Sequence, residues 1–139
     1  MSSHYELNSN TPQTVLVVDN LADVRALIGV LLTRRGYRVA EADGGEQAVA
    51  EARRVVPDLI LMDLKMPGGM DGVAAAQAIR GDVGLRAVPI VAVTADNTEY
   101  YREKTREAGF SDYLVKPFEV GELDALLGRL LPAKTAALH

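Results

Sequence analysis

Five polar residues stand at the ends of short apolar runs in this 139-residue chain. Asp19 and Asn20 follow Thr14–Val18, Asp63 follows Leu59–Met62, Thr94 follows Pro89–Val93, and Lys116 follows Tyr113–Val115. Brought together, two carboxylates and an amide oxygen suit a hard cation such as Mg²⁺, which takes oxygen ligands and keeps several waters. A lysine and a hydroxyl beside such an ion suit a phosphoryl group, whose oxygens call for charge-assisted donors. A carboxylate can also act as a nucleophile and form an acyl phosphate. Phosphoryl transfer needs mostly positioning and charge neutralisation, which this set can supply.

Taken singly, each residue has an ordinary role. An aspartate after a strand is commonly a turn or cap residue, Thr94 can cap the following helix, and Lys116 can be a surface lysine before a proline. What sets them apart is their common position, and that depends on the elements that carry them. Thr14–Val18 is β-branched and apolar throughout, the pattern of a strand buried on both faces. Val24, Leu27, Ile28, Leu31 and Leu32 recur at helical spacing, so 21–35 reads as an amphipathic helix stopped by Gly36. Tyr37–Glu41 is a second strand and 45–54 a second helix, broken by Pro57. Leu59–Met62 is the third strand, followed by a loop with Pro67, Gly68 and Gly69 and a helix from the cap Asp71 to about Arg80. Pro89–Val93, a polar helix over 98–108, Tyr113–Val115 and a last helix with Val120, Leu123, Leu127 and Leu130 in register complete five β-α units. Continuous apolar strands alternating with helices imply an α/β domain with a doubly wound parallel sheet, covered on both faces by five helices. In such sheets ligands bind outside the carboxyl ends of the strands, where the five polar residues fall.

Composition narrows the function classes. Hydrophobic residues make up 48% and charged residues 24%, an ordinary globular balance. There is no cysteine, which excludes disulfides and thiolate chemistry. A net charge of −4 gives no basic footprint, so no direct nucleic-acid partner is expected. The pairs Arg34-Arg35 and Arg53-Arg54 sit at helix ends, where they suit the helix dipole. No apolar run approaches the ~20 residues needed to span a bilayer, so no membrane partner is expected and the expected location is cytoplasmic. His4 and His139 fall in the tails and are not expected to do chemistry. One of the pair Tyr100-Tyr101 is expected to pack inward.

The ordered set Val17-Val18-Asp19, Leu61-Met62-Asp63-Leu64-Lys65-Met66-Pro67, Met70-Asp71-Gly72, Val93-Thr94-Ala95 and Tyr113-Leu114-Val115-Lys116-Pro117-Phe118 resembles the receiver domain of two-component response regulators. The resemblance runs from Thr14 to about Leu131. It implies a strand order of 2-1-3-4-5, a receiver over 14–131, a flexible leader over 1–13, and a tail or truncated linker over 132–139. It implies that Asp63 accepts a phosphoryl group from a phosphohistidine on a sensor histidine kinase or histidine phosphotransfer protein. Asp19, Asn20, Asp63 and the backbone carbonyl of Lys65 would hold Mg²⁺. Lys116 would contact Asp63 and then the phosphoryl group. Thr94 would move toward that group, and Tyr113 would follow as the switch aromatic, remodelling the surface of the fourth helix, fifth strand and fifth helix. That surface would dock an output partner or a second copy of the chain. Lys116-Pro117 would be a cis peptide. The domain would be no enzyme beyond its own phosphoryl transfer and dephosphorylation.

The chain departs from the family pattern in three places. Asn20 stands where a second acidic residue is usual. The pocket therefore carries one negative charge fewer, and Mg²⁺ should bind weakly. Gly68-Gly69 lengthens the loop after Asp63 by one residue, which glycines absorb because they tolerate φ > 0. Lys65 and Asp96 stand two residues beyond Asp63 and Thr94, positions that in this family tend to set the dephosphorylation rate. The alternative that Asn20 raises is a pseudo-receiver, an interaction module of the same fold that works without phosphate. A haloacid-dehalogenase-like phosphatase is opposed by Lys65, which stands where that class has a second aspartate. A dinucleotide-binding role is opposed by Asn20-Leu21-Ala22-Asp23, which replaces a glycine-rich loop.

Overall fold

A computed structural model describes residues 11–132. The expected leader and tail lie largely outside these residues, as do His4 and His139. Five strands, β1 (Thr14–Val18), β2 (Arg38–Ala42), β3 (Leu59–Met62), β4 (Ile90–Thr94) and β5 (Asp112–Val115), alternate with five α-helices. These are α1 (Ala22–Arg34), α2 (Gly45–Val55), α3 (Gly72–Arg80), α4 (Glu99–Glu107) and α5 (Val120–Leu130). All four strand pairings are parallel and the sheet order is β2-β1-β3-β4-β5. The expected doubly wound α/β architecture and its strand order are therefore present.

The alternation of side chains along each strand builds two cores. Leu16, Val18, Ile60, Met62 and Ile90 face α2 and α3, where Ala48, Ala52, Ala75 and Ile79 are buried. Val15, Val17, Leu59, Leu61, Val91 and Val93 face α1 and α5 through Ile28, Leu32, Leu123 and Leu127. β1, β3 and β4 are buried on both sides, which explains their unbroken apolar runs. β2 is an edge strand and keeps Arg38 and Glu41 exposed. α4 is the exception to this packing, since Thr105 is its one buried residue.

The local signals act largely as expected. The Asp71 side chain accepts from the Ala74 backbone N–H at 2.8 Å and starts α3. Thr98, not Thr94, caps α4. Gly36 and Gly109 end α1 and α4 with φ of 88° and 87°. Gly68 and Gly69 have φ of 79° and 110°, so the lengthened loop is absorbed by left-handed glycines, and Glu46 accepts from the Met70 N–H at 3.1 Å to hold it. Lys116-Pro117 is cis. Leu27 departs from the apolar stripe assigned to α1: it is 63% exposed, while Ile28 and Leu32 are buried against the sheet and Val24 and Leu31 pack beside them. A short 3-10 turn, Val83–Leu85, was not evident from hydrophobic period; it is capped by Asp82, which accepts from the Gly84 N–H at 3.0 Å. The arginine pairs do more than meet helix dipoles, for Arg35 grips Asp124 of α5 and Arg53 pairs with Asp82 at 3.2 Å.

Gly72 fixes the distance between α3 and the end of β3. A Cβ built there lies 2.0 Å from the backbone oxygen of Asp63, which cannot yield as a flexible side chain would. Gly72→Ala is expected to destabilise the domain by about 1–3 kcal/mol, the range for overpacking a tight interior. A urea midpoint equal to that of the unaltered protein would contradict this reading.

Candidate functional site at the carboxyl edge of the sheet

Parallel strands deliver their carboxyl ends to one edge, and the register there sets the site. Val18 pairs with Met62 and Thr94 with Val115, so Asp19, Asp63 and Lys116 each emerge one residue beyond a paired strand end. Thr94 is itself the last residue of β4 and not the first residue after it. Asp19, Asp63 and Thr94 are all buried.

The ammonium of Lys116 lies between the two carboxylates. Its Nζ is 2.9 Å from Asp19 Oδ2 and 3.7 Å from Asp63 Oδ2. The hydrogen bond thus goes to Asp19, while Asp63 is held at ion-pair distance. The expected contact of Lys116 with Asp63 is thus an ion pair, beside a shorter hydrogen bond to Asp19. The other Asp19 oxygen accepts from the Leu21 N–H at 2.9 Å, and Arg25 donates to the Asp19 backbone carbonyl at 2.6 Å while pairing with Glu41. Asp19 is therefore fixed from three directions. Asp63 is held more loosely, with Oδ1 accepting from the Lys65 N–H at 3.4 Å. Burial pushes the Asp63 carboxyl above the ordinary aspartate value. The Lys116 ammonium opposes that rise, the Asp19 carboxylate adds to it, and the N–H groups of Lys65 and Leu64 oppose it.

Asp63 opens into a cleft of about 480 Å³ lined by Lys65, Thr94, Asp96, Thr98 and Lys116 among others. Lys65 and Asp96 form an ion pair across it, Nζ to Oδ2 at 2.7 Å. That ion pair and the hydrogen bonds from Thr98 hold the Asp96 carboxyl down to about 2. Asp96 also touches both proposed switch residues. Its N–H donates to Thr94 Oγ1 at 3.3 Å, and its carbonyl accepts from the Tyr113 hydroxyl. The Tyr113 ring lies under the Arg102 guanidinium, 4.2 Å from its centroid. Tyr101 is half-buried and Tyr100 exposed, as the pair suggested, and they meet edge to face at 5.2 Å.

The donors fit a hard cation. Asp19 and Asp63 are two buried carboxylates that converge on a single ammonium, so negative charge remains to be neutralised. Asn20 is half-buried beside them, and its side chain makes no hydrogen bond to another described residue. Among the described residues no group of three or more His, Cys, Asp or Glu side chains is gathered as metal ligands. Sequence reasoning singled out Asp19, Asn20, Asp63, Lys65, Thr94, Tyr113 and Lys116; Asp63, Lys65, Thr94 and Lys116 line one cleft and Asp19 joins them through Lys116, whereas Tyr113 lies within β5 opposite Ala92 and reaches Asp96 through its hydroxyl, and Asn20 simply follows Asp19 in the chain. It did not foresee the contact between Lys65 and Asp96 or the part of Arg25. Long-range charge pairing leaves no periodic signal.

The five parallel strands in the order β2-β1-β3-β4-β5 thus carry an aspartate, a threonine and a lysine to one carboxyl edge. The model of the response regulator receiver domain matches residues 15–128, and the chain belongs to that family. It is 41% identical over 109 residues to the transcriptional regulatory protein ResD of Bacillus subtilis (strain 168), covering 78% of this chain and 44% of ResD. The chain thus spans less than half of that relative. Among solved structures it resembles the Vibrio cholerae chemotaxis protein CheY4, with a TM-score of 0.82, 30% identity, and coverage of 87% of this chain and all of that one. It also resembles the receiver domain of the sensor histidine kinase PA1611 from Pseudomonas aeruginosa PAO1. There the TM-score is 0.80, the identity 39%, and the coverage 86% of this chain and 98% of that one. The PA1611 domain has a magnesium ion coordinated in its active-site cleft. No described helix of the present chain is long and apolar enough to cross a membrane.

The raised Asp63 carboxyl has a consequence for stability. An acid whose native value lies above its unfolded one, here 3.8, stabilises fully below that value. The contribution is lost as pH rises through the native value. Asp63→Asn cannot ionise and escapes this loss. In magnesium-free buffer its urea midpoint is expected to match the unaltered protein near pH 3 and to exceed it increasingly above pH ~4. A gap that does not change with pH would show that the native carboxyl is not raised.

Proposed function

We propose that this receiver is a phosphoacceptor of two-component signalling, modified on Asp63 by a phosphohistidine donor. The donor is a sensor histidine kinase or a histidine phosphotransfer protein. The observation that carries the reading is the placement of Asp63 at the floor of an open cleft, with Lys116 at ion-pair distance and Thr94 on the wall. A carboxylate oxygen of Asp63 bonds to phosphorus as the donor's P–N bond breaks. The imidazole leaves with that electron pair and takes a proton from solvent. The product is an acyl phosphate on Asp63. Asp19 holds Lys116 in place, and Lys116 and the Thr94 hydroxyl are the donors that meet the phosphoryl oxygens. Asp19, Asn20, Asp63 and the Lys65 backbone carbonyl would hold Mg²⁺, which supplies charge neutralisation for the transferred group.

The modification adds a group of about −2 charge to the edge of the sheet. For Thr94 to turn toward it, its oxygen must leave the Asp96 N–H, and Asp96 is the residue that fastens the Tyr113 hydroxyl. Thr94 and Tyr113 are thus joined through one residue, and a shift of the first biases the second. The readout surface is α4, β5 and α5, where an output partner or a second copy docks. The expected location of this exchange is the cytoplasm.

The direct test is intact mass after incubation with an acyl-phosphate donor, with and without Mg²⁺, on this chain and on Asp63→Ala. A magnesium-dependent gain of one phosphoryl group, absent from Asp63→Ala, is expected. No gain at any magnesium concentration would instead support a phosphate-independent interaction module of the same fold. Restoring the missing charge gives a second test. Asn20→Asp is expected to tighten Mg²⁺ binding about tenfold, since each added ligand charge strengthens a hard-cation site. Unchanged affinity in a calorimetric titration would remove Asn20 as the cause of weak binding.

A further inference from the structure

We propose that Arg25 is a positioning residue for Mg²⁺: it aims the turn through Asp19 and Asn20, and Glu41 cancels its charge so that the grip does not repel the ion. This rests on the reading above that Asp19, Asn20, Asp63 and the Lys65 carbonyl hold Mg²⁺.

Asp19 stands where the backbone ladder gives out. Its N–H donates to the Ala42 carbonyl at 3.1 Å, and the Asp63 N–H donates to the Val18 carbonyl at 3.0 Å. The next carbonyl, that of Asp19 itself, lies beyond the paired residues of β1 and β3. The Arg25 guanidinium takes it, with Nη1 donating at 2.6 Å, while Nε donates to Glu41 Oε1 at 3.0 Å. A planar guanidinium fork holds two such partners at once, which a single ammonium on a flexible stem does poorly. Arg25 is in the first turn of α1, and its side chain is only 17% exposed. It therefore ties α1 and the end of β2 to the peptide that joins Asp19 to Asn20. Holding that planar unit restricts ψ of Asp19 and φ of Asn20, and with them the directions of both side chains.

The other two holds on Asp19 act on its carboxylate. Oδ1 accepts from the Leu21 N–H and Oδ2 from Lys116, each at 2.9 Å. A cation has to share those oxygens with these donors, but it leaves the Arg25 bond to the backbone untouched. Arg25 is thus the hold that metal binding does not disturb. Its cost is a positive charge directly behind a metal ligand, in a pocket that Asn20 already leaves one negative charge short. The pairing with Glu41 removes that cost, and the brace is neutral in sum.

Charge and positioning predict opposite signs, which separates them. Arg25→Met leaves Glu41 uncompensated, so charge alone would tighten Mg²⁺ binding, whereas lost positioning weakens it. Affinity is measured by calorimetric titration of the whole chain with Mg²⁺ and no phosphodonor, and circular dichroism verifies folding. Arg25→Met is expected to bind about tenfold more weakly, the lower end for groups that orient metal ligands. Glu41→Gln keeps an acceptor for Nε but uncovers the guanidinium charge. It is expected to bind about twofold more weakly at low salt, and as the unaltered chain does at ~1 M salt, where such charges are screened. The double variant restores the original sum of charge and should remain about tenfold weak. Arg25→Lys keeps the charge without the fork and should fall between, about threefold weak. With acetyl phosphate as donor, Arg25→Met should raise the magnesium concentration for half-maximal phosphorylation by the same factor and leave the rate at saturating magnesium nearly unchanged. Unaltered or tighter binding by Arg25→Met, full affinity in the double variant, or a loss confined to the saturated rate would overturn the assignment and leave the metal site standing. Should Arg25→Met not fold, Arg25→Lys carries the test, and unaltered affinity there overturns the assignment. No Mg²⁺ binding by the unaltered chain would overturn the metal reading, and this assignment with it.

Discussion

Two carboxylates buried at the end of a parallel sheet repel each other, and one ammonium between them makes the arrangement tolerable. Asp19 and Asp63 are held by the register of β1 and β3, and the chain must return to that edge at β5 to deliver Lys116. Removing one partner of a buried ion pair leaves its counterpart uncompensated, a far larger cost than the pair's net gain. The fold is therefore constrained to keep all three residues together. The compensation is also uneven. Asp19 takes the hydrogen bond, and Asp63 retains a carboxyl raised by burial. A carboxylate kept short of counter-charge is one that gains from cations brought from solution.

Around this centre the sequence departs from its family in a coordinated way. Asn20 lowers the negative charge of the pocket, Lys65 adds a positive one, and Asp96 holds that lysine at the rim. Each change alone alters one term of the local electrostatics. The extra glycine of the following loop alters none of this, because Gly68 and Gly69 turn in the left-handed region and Glu46 fastens Met70.

How much of this was legible depended on the range of each interaction. β1, β3 and β4 declared themselves because strands buried on both faces must be apolar at every position. The helix stops at Gly36 and Gly109 and the cap at Asp71 were local and readable for the same reason. The convergence of Asp19, Asp63, Thr94 and Lys116 followed from parallel topology before any contact was known. Leu27 was misplaced because it lies about 100° round the helix from Ile28, at the margin of the apolar stripe, where only packing against the sheet decides what is covered. The clasp of Arg25 on the Asp19 carbonyl and of Lys65 on Asp96 link residues set by loop geometry, to which hydrophobic period is blind. Lys65 and Asp96 could be noted as neighbours of the site, but their pairing required the structure.

The weak anchoring of α4 bears on time as well as on shape. With Thr105 its one buried residue and a polar sequence of nine residues, the helix has little apolar contact resisting local opening. Segments of this kind unfold and reclose far below the free energy of global unfolding. Its backbone amides should therefore exchange with solvent well before those of β1 or β3. A surface built on such a helix answers a small bias quickly, and the sheet beneath it need not move.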